Sequence, residues 1–457
     1  MSCVAVAITR LISEFPNSLL VASYSSLKEV ESKVTEQIKA VRGTRDIIPG
    51  EIHKWQYVES TARSIFEKFG FGEIRTPMFE YTELFVKGTG EVTDIVEKQM
   101  YTFTDKSGRS LTLRPEGTPP IVRSYLENNL FADLPVCKLY YISPMFRYER
   151  PQAGRYRQHL QLGAEIIGTA SPTADAELMS MYLHFTSKLN IESVTLQLNS
   201  VGCEECRSGY IDALKAYASG NFDSLCETCK DRFDRNPLRM LDCKQEGCRE
   251  VFARGPRILD YLCGNCREHF DSVTGFLDRL ELPYQINPFL VRGLDYYTRT
   301  VFEVAAEGLG AQDVIAGGGR YDNLVEQLGG KPTPALGFGS GVDRIIEAME
   351  AQNVRFPDPP GIEVYLASVG DRGISRTLEI SYLLRRKGIS AEIGLESRSL
   401  RSQMKTADKL GAKYVIMIGD DEIDKGVVAL RNMGDGQQET IDVQMVASTL
   451  EDKLRIS

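Results

Sequence analysis

Four arginines fall within the thirteen residues from Phe146 to Gln158, in a chain whose formal net charge is −9. They are Arg147, Arg150, Arg155 and Arg157. A planar guanidinium grips phosphate bidentately, so this local reversal of charge marks a site for anions. Just downstream, Gln161 and Glu165 lie on one side of a period-2 pattern, opposite Leu160, Leu162, Ala164 and Ile166. Arg292 and Arg344 add guanidinium groups, Glu116 a second carboxylate, and Tyr296 and Tyr297 aromatic hydroxyls. Arginines serve phosphates. Carboxylates on a pocket face serve an ammonium or an imidazole N–H, because a buried cation needs a paired acceptor. Singly, each residue has a plainer role. Arg147 and Arg344 could be salt-bridge partners, and Glu116 could cap a helix beginning near Thr118. Tyr296 and Tyr297 could be strand aromatics, and Gly317-Gly318-Gly319 a tight turn. His53 and His159 read as structural or surface residues. The joint pattern favours a pocket.

Eight of the ten cysteines lie between Cys203 and Cys266, as Cys203-x2-Cys206, Cys226-x2-Cys229, Cys243-x4-Cys248 and Cys263-x2-Cys266. Without a secretory signal, clustered thiols read as metal ligands before disulfides. Eight thiols make up to two tetrahedral zinc sites; free, partly buried thiols are the alternative.

The elements that must position these groups follow from periodicity. Leu139–Phe146 and Leu160–Ile166 form a hairpin whose tip carries Arg150, Arg155 and Arg157. His53–Phe69 has helical spacing, and Gly70-Phe71-Gly72 turns into a short strand ended at Pro77. Tyr101–Arg109 and Leu111–Arg114 read as a hairpin, with Thr112, Arg114, Glu116 and Thr118 on one face of its second strand. Ala174–Lys188 reads as a helix, and Val194–Asn199 and Thr298–Val304 as strands. The charged, helical, Cys-rich stretch of about 203–280 interrupts the sheet pattern like an insertion.

Phe356-Pro357-Asp358-Pro359-Pro360-Gly361 is a linker. Beyond it, strand and helix alternate over 362–457, predicting a small α/β domain with a largely parallel sheet. A chain of 457 residues is too long for one core. With 42% hydrophobic and 26% charged residues it has the composition of a soluble protein. The acidic balance argues against non-specific coating of nucleic acid but leaves local basic contacts open. No run of about 18 apolar residues is present, so no membrane span is expected. Residues 1–40 read as a poorly ordered extension or an upstream start codon. Their serines and few acids faintly resemble a transit peptide, so organellar import stands as the alternative to a cytoplasmic location.

From Arg42 onwards the sequence resembles the class II aminoacyl-tRNA synthetases, and among them the histidyl-tRNA synthetase family. Arg147 with its following loop resembles the second class II signature, and Gly339-Ser340-Gly341-Val342-Asp343-Arg344 the third. More specific are Leu113-Arg114-Pro115-Glu116-Gly117-Thr118, the segment from Arg292 to Glu303, and Gly318-Gly319-Arg320-Tyr321-Asp322. The resemblance implies an α+β fold: a class II antiparallel sheet with flanking helices over 41–355, the insertion, and an anticodon-binding domain over 362–457. It implies a homodimer, with the early helix and the strand around Thr76-Pro77 at the interface. The implied substrates are L-histidine, ATP with Mg²⁺, and tRNA(His). Glu116, Gly117, Thr118 and Gln161 would hold the α-ammonium end. Glu165 with Tyr297 and Tyr321 would read the imidazole, in a histidine site that Tyr296 also lines. Arg147, Glu149 and Arg344 would bind ATP, and Arg292 with Arg147 would be catalytic. Arg150, Gln152 and Arg157 would meet the tRNA acceptor end, at the extra 5′ guanosine and the base opposite. Two rivals are a catalytically silent paralogue, the regulatory subunit of ATP phosphoribosyltransferase, and a class II synthetase for proline or threonine.

Overall fold

A computed structural model describes residues 37–456, apart from positions 92, 133, 151–153, 311, 312, 360 and 397. Most of the N-terminal extension, and Gln152, thus lie outside the described residues. The chain forms two compact units that divide between Pro357 and Asp358.

In the first unit the helix Ile52–Lys68 buries Trp55, Val58, Ala62, Ile65 and Phe66 along one stripe. It stops because Gly70 takes φ +80°. Gly70 N–H then donates to Glu67 and Phe71 N–H to Phe66, the paired bonds that close a helix C-terminus. The strands that follow are β1 (Gly72–Glu73), β2 (Phe79–Tyr81), β3 (Tyr101–Thr104), β4 (Ser110–Leu113), β5 (Cys137–Phe146), β6 (Gln158–Ile167), β7 (Val194–Ser200), β8 (Tyr284–Ile286), β9 (Thr298–Ala306), β10 (Val314–Arg320) and β11 (Ala335–Gly341). Eight of them form one sheet in the order β1-β5-β6-β11-β10-β9-β7-β8, and β2-β4-β3 form a small second sheet. The large sheet is antiparallel except at its edges, where β1 pairs with β5 and β8 with β7 in parallel.

The hairpin β5–β6 matches the expected arginine ribbon, with Phe146 opposite Gln158. Its two faces differ from a simple buried-and-open alternation. Leu162, Ala164 and Ile166 enter the core with Phe66, Tyr182, Phe185, Phe302 and Phe338. Glu165, on the other face, is also fully buried, at 0% exposure. The helix Thr118–Glu127 and the insertion contribute a second cluster that holds Tyr141, Tyr296, Tyr297 and Tyr321.

The second strand of the small hairpin ends at Leu113, so the expected shared face from Thr112 to Thr118 does not extend through Glu116. Arg114 turns away from the pocket. Its guanidinium donates to the Pro144, Thr76 and Pro77 carbonyls and fixes the Thr76-Pro77 bend.

The insertion runs between β7 and β8 as the helices Glu204–Ser219, Glu227–Arg235, Glu246–Ala253 and Gly264–Arg279. Its last helix meets the helix Pro172–Lys188, where His269 lies 3.4 Å from Asp175. Asp175 is held mainly by Arg320, whose side chain is fully buried and donates from Nε and Nη2. Removing one partner from such a pair costs about 3–5 kcal/mol, because the other charge stays buried.

The second unit has β12 (Val364–Ser368), β13 (Ala391–Ile393), β14 (Tyr414–Ile418), β15 (Val427–Asn432) and β16 (Gln438–Asp442), ordered β13-β12-β14-β15-β16. β12 is parallel to β13 and β14, but β15 and β16 are antiparallel additions, so the sheet is mixed rather than largely parallel. The reversal has a local cause. Only Gly419, the short helix Asp420–Lys425 and Gly426, at φ +70°, connect β14 to β15. That is too little chain for a parallel crossover.

Candidate active site

Glycines on the two central strands form the floor of the site. β10 and β11 pair with Gly317 opposite Gly339 and Gly319 opposite Gly337. A Cβ at Gly337 would lie 1.6 Å from Glu165 Oε2, one at Gly339 2.3 Å from Gln161 Nε2, and one at Gly317 2.4 Å from the Arg292 guanidinium. Three polar side chains predicted to be functional therefore lie directly on glycine backbone. Gly317-Gly318-Gly319 is strand, not the tight turn that was its plain alternative.

At one end two carboxyls are buried. Glu165 Oε1 accepts from Thr118 Oγ1 at 2.8 Å, and Oε2 accepts from the Tyr321 hydroxyl. Glu116 Oε1 accepts from Thr89 Oγ1 at 2.5 Å and Oε2 from the Tyr296 hydroxyl at 2.8 Å. Gly117, not Glu116, is the N-cap of the helix that opens at Thr118, and that N-cap makes no side-chain bond. The capping role of Glu116 thus gives way to the pocket. Gly117 itself sits against the Tyr141 ring, where a Cβ would clash at 2.4 Å. Tyr297 packs on Tyr296 with centroids 4.7 Å apart, and Tyr321 lies 5.7 Å from Tyr296. Gln161 accepts from the Tyr141 hydroxyl at 3.4 Å.

Burial raises Glu116 above the usual carboxyl range. Burial, with the Glu116 charge adding to it, raises Glu165 from 4.5 to about 8, although its two hydroxyl donors oppose the shift. Between these values the folded chain binds a proton that the unfolded chain has released. Stability of the empty protein should therefore fall as pH rises from 4.5 to about 8. Glu165→Gln should flatten that decline, which urea unfolding at a series of pH values would measure; an unchanged slope would show that Glu165 is not the group responsible.

The other end is cationic. Arg147 immediately follows β5, and its Nε donates to the Pro115 carbonyl at 2.8 Å. Arg292 pairs with Glu303 and lies 5.9 Å over the Tyr297 ring. Burial pulls the Arg292 pKa down, but the charge of Glu303 together with Tyr297 and Tyr296 more than reverses this, so the guanidinium is held charged. Arg344 donates to Glu347 at 2.8 Å. Arg292 Nε and Arg344 Nη2 are buried N–H groups without a partner. Unsatisfied buried donors are costly, and each of these is a donor that a bound anion could take up.

Gly154, in the arginine loop, lies against this end. Gly154 has φ +68°, and a Cβ there would strike Arg344 and Glu347 within 2.6 Å. Arg150 and Arg155 are exposed. Glu149 accepts from Arg155 at 3.3 Å. Arg157 is folded back, its guanidinium 4.0 Å over the Tyr148 ring. Burial, then the Arg147 charge, push His159 to about 3, so its ring stays neutral.

Three residues here were missed in the sequence. Tyr141 was legible in principle, since it stands opposite Gly163 in the hairpin and shares the alternation of Gln161 and Glu165. Thr89 and the pairing role of Glu303 carry no local signal.

The family model described as histidyl-tRNA synthetase matches residues 43–345, and that of an anticodon binding domain matches 363–453. A histidine–tRNA ligase of Halothermothrix orenii is 50% identical over 419 residues, covering 92% of this chain and 99% of the relative. One from Pelotomaculum thermopropionicum is 49% identical over 413 residues, covering 90% and 97%. The apo crystal structure of S. aureus histidyl-tRNA synthetase superposes with a TM-score of 0.77 at 35% identity, covering 91% of this chain and 100% of that one. With matches of this extent on both sequence and fold, the chain belongs to the histidyl-tRNA synthetase family.

Proposed function

We propose that the residues of this pocket divide the work of a histidine–tRNA ligase as follows. The enzyme joins L-histidine to tRNA(His) in two steps, through histidyl-adenylate, releasing diphosphate and then AMP. The observation that carries the reading is the buried carboxyl of Glu165, raised to about 8, facing a floor of glycine. Such a group is ready to become a carboxylate when an N–H donor arrives, and an imidazole brings one. Tyr321 orients it, and Tyr296 and Tyr297 wall the ring. Glu116, with Thr118, Gln161 and the small Gly117, would receive the α-ammonium.

The amino-acid carboxylate would then point towards the arginines. Arg147 holds the α-phosphate of ATP, and Arg344 the γ-phosphate or the adenine face. Arg292 neutralises the charge that develops as the carboxylate attacks the α-phosphorus and diphosphate leaves. No nucleophilic side chain is needed; positioning and fixed charge supply the acceleration. Mg²⁺ accompanies ATP, and Glu149, two residues beyond Arg147, is an oxygen donor of the kind it accepts. In the second step the terminal tRNA hydroxyl attacks the adenylate carbonyl and AMP leaves. Arg150, Gln152 and Arg157 would meet the acceptor end by bidentate contacts, with Arg157 first leaving Tyr148. The second unit would take the anticodon. A homodimer acting in the cytoplasm, and structural rather than catalytic zinc in the insertion, complete the reading.

ATP–pyrophosphate exchange with each of the twenty amino acids tests it. Exchange is expected with histidine alone. Exchange with proline or threonine in its place, or with none, would overturn the assignment.

A further inference from the structure

The thiols gather into two groups, Cys203, Cys206, Cys263 and Cys266, and Cys226, Cys229, Cys243 and Cys248, each with all four sulfurs within 4.8 Å of one another. Sulfurs placed tetrahedrally at 2.3 Å from Zn²⁺ would be about 3.8 Å apart. The measured separations are 3.6 Å for Cys203–Cys206, 4.0 Å for Cys203–Cys263 and 3.7 Å for Cys226–Cys243. This spacing suits one ion per group and leaves no room for a multi-iron cluster. Cys203, Cys226 and Cys263 are N-caps of helices, and Cys206, Cys229, Cys266 and Cys248 lie in first turns. Helix N-termini favour the thiolates that such an ion requires.

Both groups adjoin one loop. Residues 287–297 carry Arg292, Tyr296 and Tyr297 between β8 and β9 without regular ladder bonds. Arg207, next to Cys206, donates to the Tyr297 carbonyl. Asn236, between Cys229 and Cys243, donates to Asp295 at 2.9 Å. Arg239 lies against Gly293, where a Cβ would be 3.1 Å from its Nη1.

We propose that the insertion binds two zinc ions, one in each thiol group, and that they brace the Arg292–Tyr297 loop in its catalytic position. The first ion ties together the two ends of the insertion beside Tyr297; the second shapes the segment that holds Asp295 and Gly293. The brace rests on the reading of this loop as catalytic. Arg207 and Asn236 are its positioning residues.

Metal analysis of the full chain, purified without chelator, should find two zinc ions per chain. Fewer than two, or iron in their place, overturns the assignment. Titration with a mercurial should release both ions, with kcat/KM for histidine in pyrophosphate exchange falling about tenfold or more as they leave. Dithiol with Zn²⁺ should restore it. Full activity after both ions have left would overturn the brace. Arg207→Ala and Asn236→Ala leave every thiol in place. They should keep two zinc ions and an unchanged melting temperature yet raise KM for histidine, and an unchanged KM in both also overturns the brace. Failure of the underlying reading looks different: Arg292→Ala would then leave exchange unaffected whatever the metal content.

Discussion

Arg292→Ala should slow histidyl-adenylate formation by about 10²–10³-fold while histidine affinity stays within a few-fold. The guanidinium lies flat on Gly317, is held charged by Glu303, and keeps a buried Nε–H without a partner. It is a fixed charge in a largely buried position, the arrangement worth most where negative charge develops during reaction. On the proposed roles its loss should remove stabilisation of the transition state rather than of bound histidine, which is assigned to other residues. Single-turnover formation of the adenylate, with histidine binding measured separately, checks this. The substitution also leaves Glu303 unpaired, so the melting temperature must accompany the rate. Arg292→Lys should recover part of the rate, since it restores charge but not the planar fork. A rate unchanged in the alanine variant of a folded protein would show that the role belongs elsewhere.

Glu165→Gln should lower kcat/KM for histidine by about 10³-fold or more, chiefly by removing discrimination at the imidazole. A site built to accept a specific N–H rejects analogues strongly, because its own polar groups are left unsatisfied when the wrong ligand enters. The amide keeps the volume over Gly337 but replaces one acceptor oxygen with a donor. Tyr321 and Thr118 both donate to the native carboxyl, so the amide nitrogen would meet a hydroxyl already oriented to give a proton. Exchange kinetics with histidine and with an analogue lacking the ring N–H measure the ratio. If the variant still prefers histidine as strongly as before, Glu165 does not read the ring.

Much of this site was legible because its residues sit in strongly patterned segments. The spacing of Gln161 and Glu165 on β6 needs only the two-residue period of a strand. Arg147 falls where that hairpin leaves its first strand. The helix Ile52–Lys68 and the break at Gly70 follow from an apolar stripe and a residue free to take positive φ. Less regular positions were harder to read. Glu116 lies beyond the end of β4, where alternation no longer applies. Thr89, at the end of the helix Thr82–Thr89, meets Glu116 only across the fold. The direction of β15 depended on the length of one connection, which the sequence pattern of helix and strand did not weigh.

The sequence by itself determined the inventory: which segments are strands and helices, which groups carry charge, and which family the motifs resemble. Those properties are local, set by side-chain period, glycine freedom and residue chemistry. Only the tertiary structure decided the pairings. It grouped Cys203 and Cys206 with Cys263 and Cys266 across the insertion, and laid Arg292 on Gly317 and Glu165 on Gly337. It also buried Glu165 completely on the sheet face that alternation had aimed at a pocket. Each of these depends on contacts between residues far apart in the chain, and it is the loss of water around those contacts that gives the groups their altered charge states.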